Sequence, residues 1–187
     1  MPQVPRPPLR LLALSTTIAL AAAIGTYALL SDDDPATVGT VTLTPADGSA
    51  DDTDGVSFTT FEGDTVALSS LRGTPVLVNF FASTCVPCIT EMPDLEAVHQ
   101  EVGDQVTFLG LALQDRPDDA RALVARTGVT YRTAQDKDGS VIAALGGTVL
   151  PTTVLLDADG SVLATRSGQL DAADLRSLLA DELGLQL

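Results

Sequence analysis

Pro75-Val76-Leu77-Val78-Asn79-Phe80-Phe81-Ala82, running into Ser83-Thr84-Cys85-Val86-Pro87-Cys88, is the stretch that decides the fold. Its first eight residues form a nearly continuous apolar run. That is the pattern of a strand covered on both faces, not of one that alternates between core and water. Residues 88–102 then read as a helix, with Ile89, Met92, Leu95 and Val98 at three-residue steps on roughly one face. Pro93 within it is expected to bend the helix.

The only two cysteines of the chain, Cys85 and Cys88, therefore form a C-x-x-C between a buried strand and the start of a helix. A helix N-terminus presents unpaired N–H groups and the positive end of the macrodipole. A thiolate placed there is stabilised and its pKa falls. The two-residue gap lets the second sulfur reach the first. Cys85, nearer the strand end, is expected to attack a disulfide, and Cys88 to resolve the mixed disulfide. Pro87 suits the first helical turn, where its missing N–H is not required. The bland alternative is a purely structural disulfide, but so small a ring restricts little chain entropy. A structural zinc site needs four ligands, and His99 is the one histidine of the chain, so no metal is expected. His99 itself reads as an exposed, structural side chain.

Outward from this core the pattern continues. Phe58 to Phe61 and Val66 to Leu68 flank a Glu62-Gly63-Asp64 turn and read as a small hairpin. Residues 106–113 (VTFLGLAL) form a second buried strand. Pro117-Asp118-Asp119 opens a helix to about Thr127, with acids at its positive end. Residues 131–134 read as a short strand or loop, and 140–145 as a short helix ended by Gly146-Gly147. Residues 152–156 and 162–165 pair across Asp157-Ala158-Asp159-Gly160. Residues 171–183 form a last amphipathic helix, with Leu175, Leu178, Leu179 and Leu183 on one face and Gly184 after it. Strand–helix alternation gives parallel pairing and the closing hairpin antiparallel pairing. The expected class is α/β: a mixed central sheet flanked by helices on both faces, with an added N-terminal β-hairpin.

The charge is uneven. Of the formal −15, residues 31–55 carry seven aspartates and no Lys or Arg, while residues 1–30 carry only Arg6 and Arg10. Such acidity argues against nucleic acid, whose phosphates require a basic patch. Residues 11–30 contain no charged side chain, and Asp32, Asp33 and Asp34 follow. Twenty such residues match a hydrocarbon core of about 30 Å. Arginines before and acids after place the N-terminus in the cytoplasm and the remainder outside. A cleaved signal peptide ending near Ala21-Ala22-Ala23 is the alternative, and the favoured reading is an uncleaved single-pass anchor. Either way the domain is exported to where disulfides persist. Three parts result: a transmembrane anchor or signal segment over 1–30, an acidic flexible linker over 31–55 and a globular domain over 56–187.

The residues now quoted resemble the membrane-tethered thioredoxin-like family known as TlpA, ResA and DsbE (CcmG). The resemblance spans residues 55–183. It rests on VNFFASTCVPC with Glu91-Met92-Pro93, then Leu150-Pro151-Thr152-Thr153, then Leu156-Asp157-Ala158-Asp159-Gly160, in family order and spacing. It implies a thioredoxin fold and three further roles. Pro151 matches the cis-proline that faces the cysteines. The backbone of Leu150 would pair with an extended substrate segment. Glu91, three residues after Cys88 and so near its helix face, matches an acid that assists proton transfer. A solvated helix carboxylate is the alternative for Glu91, and an ordinary loop proline for Pro151. The family commonly has Trp where this chain has Phe81 and Thr84, which leaves substrate preference and reduction potential open.

The expected activity is an extracytoplasmic protein-disulfide oxidoreductase working through a Cys85-Cys88 dithiol, without a cofactor. Its partners would be client proteins with cysteines or disulfides, a membrane thiol electron donor or acceptor, and the membrane itself through residues 11–30. Val86-Pro87 and Glu91 resemble reductases that keep apocytochrome c cysteines reduced during cytochrome c biogenesis. A disulfide-forming oxidase is the alternative direction, since thioredoxin-fold dithiols span roughly −270 to −120 mV. Two further alternatives are a thiol peroxidase, using Thr84 with Arg126 or Arg166, and a non-catalytic docking module.

Overall fold

The computed structural model describes residues 53–187. The uncharged stretch 11–30 and most of the acidic linker lie outside the described residues. Among the described residues, no helix is long and apolar enough to cross a membrane.

The apolar run becomes the central strand β3, Val76–Phe81, in which every residue is buried. It pairs parallel with β4, Thr107–Leu113, on one side and antiparallel with β6, Thr152–Leu156, on the other. Strands β1 (Ser57–Thr59) and β2 (Thr65–Ala67) form the expected hairpin, β5 is Arg132–Asp136 and β7 is Val162–Ser167. The seven strands lie in the order β2-β1-β5-β4-β3-β6-β7. The hairpin joins through an antiparallel contact of Thr59 with Gln135 on β5.

Four helices cover this sheet unequally. Helices α1 (Val86–Val102), α2 (Pro117–Thr127) and α4 (Ala172–Leu183) pack Met92, Leu95, Val98, Leu123, Leu175 and Leu179 on the face that carries Leu77, Phe81 and Phe108. The opposite face carries Val76, Val78, Phe80 and Leu111. It is covered by the five-residue helix α3 (Ser140–Ala144), by Leu145, and by Phe58 and Leu68 of the hairpin region. The expectation of helices on both faces is met, with three on one side and one on the other.

Gly110 on β4 makes the thicker face possible. A Cβ there would stand 3.2 Å from Phe81, Thr133 and Tyr131 side-chain atoms. Helix α4 starts at a capping box: the Asp171 carboxylate accepts the Ala173 and Asp174 N–H groups at 2.8 Å each. It ends at Gly184, whose φ of 69° is the left-handed C-cap the sequence announced.

Two sequence expectations need adjustment. Helix α1 starts at Val86, because Cys85 serves as its N-cap. Pro93 lies inside this one continuous helix and stands exposed. Of residues 131–134, Tyr131 stands just ahead of the sheet, and Arg132 onward form a full strand that reaches Asp136, where the buried carboxylate accepts N–H groups of Gly139, Val141 and Ile142 at 2.9–3.3 Å.

Candidate active site

Strand β3 delivers the chain to the sheet's C-terminal edge, and Ala82, Ser83 and Thr84 turn it into α1. The turn is fixed from two sides. The Cys85 N–H donates to the Ala82 carbonyl at 3.0 Å. The Asp115 carboxylate, just past β4, accepts the Ser83 N–H at 2.6 Å and the Ser83 hydroxyl at 2.9 Å. Cys85 and Cys88 are joined as a disulfide, with their Cα atoms 5.3 Å apart. The Cys88 N–H donates to Cys85 Sγ at 3.3 Å, so the sulfur occupies the position of an N-cap oxygen. The two sulfurs differ in access: Cys85 is half-buried, while Cys88 is fully buried. Around Cys85 the surface is formed by Thr84, Pro87 and Val86, the last 71% exposed.

Glu91 lies one turn beyond Cys88 and has no exposed surface. The solvated-carboxylate reading is therefore overturned. Its Oε1 accepts from the Asn79 amide at 2.7 Å and its Oε2 from the Leu170 N–H at 3.1 Å. Burial pushes its pKa up from 4.5 to about 7, and these two hydrogen bonds oppose the rise. A carboxyl so placed changes protonation state in the range where thiols exchange.

The Leu150–Pro151 peptide bond is cis. Phe80 on β3 pairs with Thr152 on β6, so Pro151 abuts the end of β3 from which the cysteine loop departs. Leu150 is half-buried against the same core cluster as Cys85 and Cys88. Among the described residues, neither its N–H nor its carbonyl makes a hydrogen bond. The preceding residue, Val149, is 51% exposed. The four sequence features Cys85, Cys88, Glu91 and Leu150-Pro151 thus converge on one end of the sheet.

Other expectations fare differently. Phe81 supplies apolar bulk in the core, fully buried, while Thr84 is exposed beside Cys85. His99 is not an exposed side chain: it is half-buried, its ring centroid 5.1 Å from that of Phe108 and 5.6 Å from that of Tyr131. Helix α1 lies over the sheet there, and the aromatic contacts hold the imidazole in. Arg126 is exposed on the last turn of α2, and Arg166 reaches Glu182 at 3.8 Å. Among the described residues, no group of three or more His, Cys, Asp or Glu could hold a metal ion. Sequence reasoning gave no role to Asn79, Thr153, Asp115 or the Leu170 N–H. Asn79 had a signal: it is the one polar residue in an apolar strand, and buried polar groups require partners.

The chain matches the family model described as Redoxin over residues 45–180. It is 32% identical over 108 residues to the thiol-disulfide oxidoreductase ResA of Halalkalibacterium halodurans, a match covering 57% of this chain and 61% of that protein. It thus spans less than two thirds of that relative's length. It is 27% identical over 126 residues to the thioredoxin-like protein YneN of Bacillus subtilis, covering 66% of this chain and 74% of that one. Among solved structures, a DsbF homologue from Corynebacterium diphtheriae is similar at a TM-score of 0.61 and 29% identity, covering 67% of this chain and 83% of that chain. A secreted Mycobacterium tuberculosis disulfide oxidoreductase homologous to E. coli DsbE is similar at 0.59 and 25%, covering 70% and 96%. The cysteine pair at the helix start, the cis-proline beside it and these similarities agree, and the chain belongs to the redoxin family, on its TlpA/ResA/DsbE-like thiol–disulfide oxidoreductase branch.

Proposed function

We propose that this protein is an extracytoplasmic thiol–disulfide oxidoreductase that reduces disulfides in exported client proteins, with Cys85 as nucleophile and Cys88 as resolving thiol. One observation carries the reading: a half-buried sulfur at a helix N-terminus is bonded to a fully buried one, with a buried carboxyl on the next turn. The reduced Cys85 thiolate attacks a client disulfide, forming a mixed disulfide and releasing one client thiolate. Cys88 then gives its proton to the Glu91 carboxylate and attacks Cys85 Sγ. The Cys85–Cys88 disulfide forms and the second client sulfur leaves as a thiolate, which takes a proton from solvent, so two electrons pass to the client. The unpaired backbone of Leu150 beside Pro151 offers an extended client segment one strand-like contact. Export is supported by the uncharged stretch 11–30 after two arginines, and by the secreted relative from Mycobacterium tuberculosis.

Cys88→Ser is expected to accumulate mixed disulfides with clients through Cys85, while Cys85→Ser accumulates none and has no exchange activity. Adducts on the Cys85→Ser protein alone would reverse the two roles. The direction is tested by the reduction potential of the full chain, equilibrated with glutathione at pH 7. A value below about −220 mV fits a reductase fed by a membrane thiol donor, with apocytochrome c cysteines as the proposed client class. A value near −120 mV, that of DsbA, makes the protein a disulfide donor instead.

A further inference from the structure

Asn79 sits in the middle of β3 at 1% exposure, with β4 and β6 on either side. A polar amide at such a position is costly unless it is hydrogen-bonded. Both of its hydrogens are used, while Oδ1 has no partner among the described residues. Nδ2 donates to Glu91 Oε1 at 2.7 Å and to Thr153 Oγ1 at 3.2 Å. Thr153 is the direct cross-strand partner of Asn79, so the sheet register itself sets the orientation of the amide. The Leu170 N–H, on the connection from β7 to α4, holds the second carboxyl oxygen at 3.1 Å. Glu91 is thus gripped by one donor on each oxygen, and a donor stabilises the ionised carboxylate more than the acid.

From this geometry we infer that Asn79 is a positioning residue: braced on Thr153, its amide orients the Glu91 carboxyl and favours its charged form, so that Glu91 can accept the Cys88 proton. The inference rests on the proposed role of Glu91. No charged side chain among the described residues offsets the burial of Glu91. The Tyr131 phenol ahead of β5 feels the Glu91 charge, and Cys88, titratable once reduced, lies one turn before Glu91 on α1. Tyr131 stays neutral through the working range, because burial foremost, then Glu91 and Glu96, push its pKa up. Hydrogen bonding from Asn79 and Leu170 is therefore what opposes desolvation.

The test uses the full chain with 13C-labelled glutamate, whose five carboxyls are few enough to resolve by NMR. Glu91→Gln identifies the Glu91 signal by its loss. The Glu91 midpoint and the pH profile of disulfide exchange are then measured for wild type, Asn79→Ala and Asn79→Asp. In Asn79→Ala both midpoints are expected to rise together by about one pH unit, which lowers exchange at pH 7 about fivefold. Asn79→Asp keeps the shape of the side chain, so it guards against an unfolded alanine variant. Its two carboxyls must share a proton, and Glu91 is expected to titrate in two coupled steps. If both Asn79 variants keep the wild-type Glu91 midpoint and rate profile while Glu91→Gln loses that profile, Asn79 is only a strand residue and the inference fails. If Glu91→Gln itself keeps the wild-type profile, Glu91 is not the proton acceptor, and the role of Asn79 falls with it.

Discussion

Replacing Glu91 by Gln removes a titration that the fold carries at a cost to itself. The carboxyl titrates at 4.5 in an unstructured chain and at about 7 in the fold, chiefly because burial disfavours its charge. Between those values the folded state holds a proton that the unfolded chain has released. Stability therefore falls as pH rises from 4.5 to 7, and the loss is complete above that window. At about 1.36 kcal/mol per pH unit, the move from 4.5 to about 7 is worth about 3 kcal/mol. Gln fits the same space but turns an NH2 toward one of two donors, Asn79 or Leu170. That mismatch costs about 1–3 kcal/mol and does not change with pH. The assay is urea unfolding of the oxidised full chain at intervals from pH 4 to 8.5, wild type against Glu91→Gln. The other carboxylates titrate alike in both proteins and cancel in the difference. Wild type is expected to be the more stable near pH 4.5, and its advantage to shrink by about 3 kcal/mol, or reverse, by pH 8. A difference that stays constant to within about 0.5 kcal/mol would show that Glu91 is not held against its charge, and would refute the assignment of burial as the dominant cause.

Other consequences are as direct. Gly110→Ala places a methyl 3.2 Å from Phe81, Thr133 and Tyr131 atoms, and is expected to lower stability by about 1–3 kcal/mol in chemical denaturation. Asp171→Ala removes the side chain that accepts two N–H groups at the start of α4, and is expected to cost about 1 kcal/mol without changing exchange rates. Met92→Ala empties a fully buried position beneath α1, and a loss of about 2–5 kcal/mol is expected from thermal or urea unfolding. In the reduced protein, one equivalent of iodoacetamide is expected to modify Cys85 and spare Cys88, because only Cys85 is within reach of solvent; peptide mass mapping reads the outcome.

Much of this site could be read from the chain because its signals are local. An apolar run long enough for a buried strand, a C-x-x-C directly after it and apolar residues at helical spacing are enough to place the dithiol on a strand-to-helix turn. The final helix is as legible, through Leu175, Leu178 and Leu179 and the Gly184 stop. Glu91 is different. Its spacing from Cys88 puts it on a helix face. Whether that face meets water depends on Asn79, twelve positions earlier, and on Leu170, seventy-nine positions later. Strand β5 was hard to see because Arg132, Thr133, Gln135 and Asp136 are polar; the last two are buried because Asp136 caps α3 and Gln135 meets the hairpin. The same holds for His99. A lone histidine on a helix reads as solvated until Phe108 and Tyr131 are known to lie beneath it.

The unequal cover of the sheet divides the molecule by how readily its parts open. The face under α1, α2 and α4 is a thick layer, and β3 and β4 each have hydrogen-bonded neighbours on both sides. The other face relies on a five-residue helix and a hairpin tied to the sheet at Thr59 and Gln135. Backbone amides of the hairpin and α3 are expected among the low-energy openings that exchange with solvent first, and those of β3 to exchange only when the whole domain unfolds. The cysteines and Glu91 grow out of that slow unit, so fluctuations of the thin side leave the spacing of the reacting atoms intact.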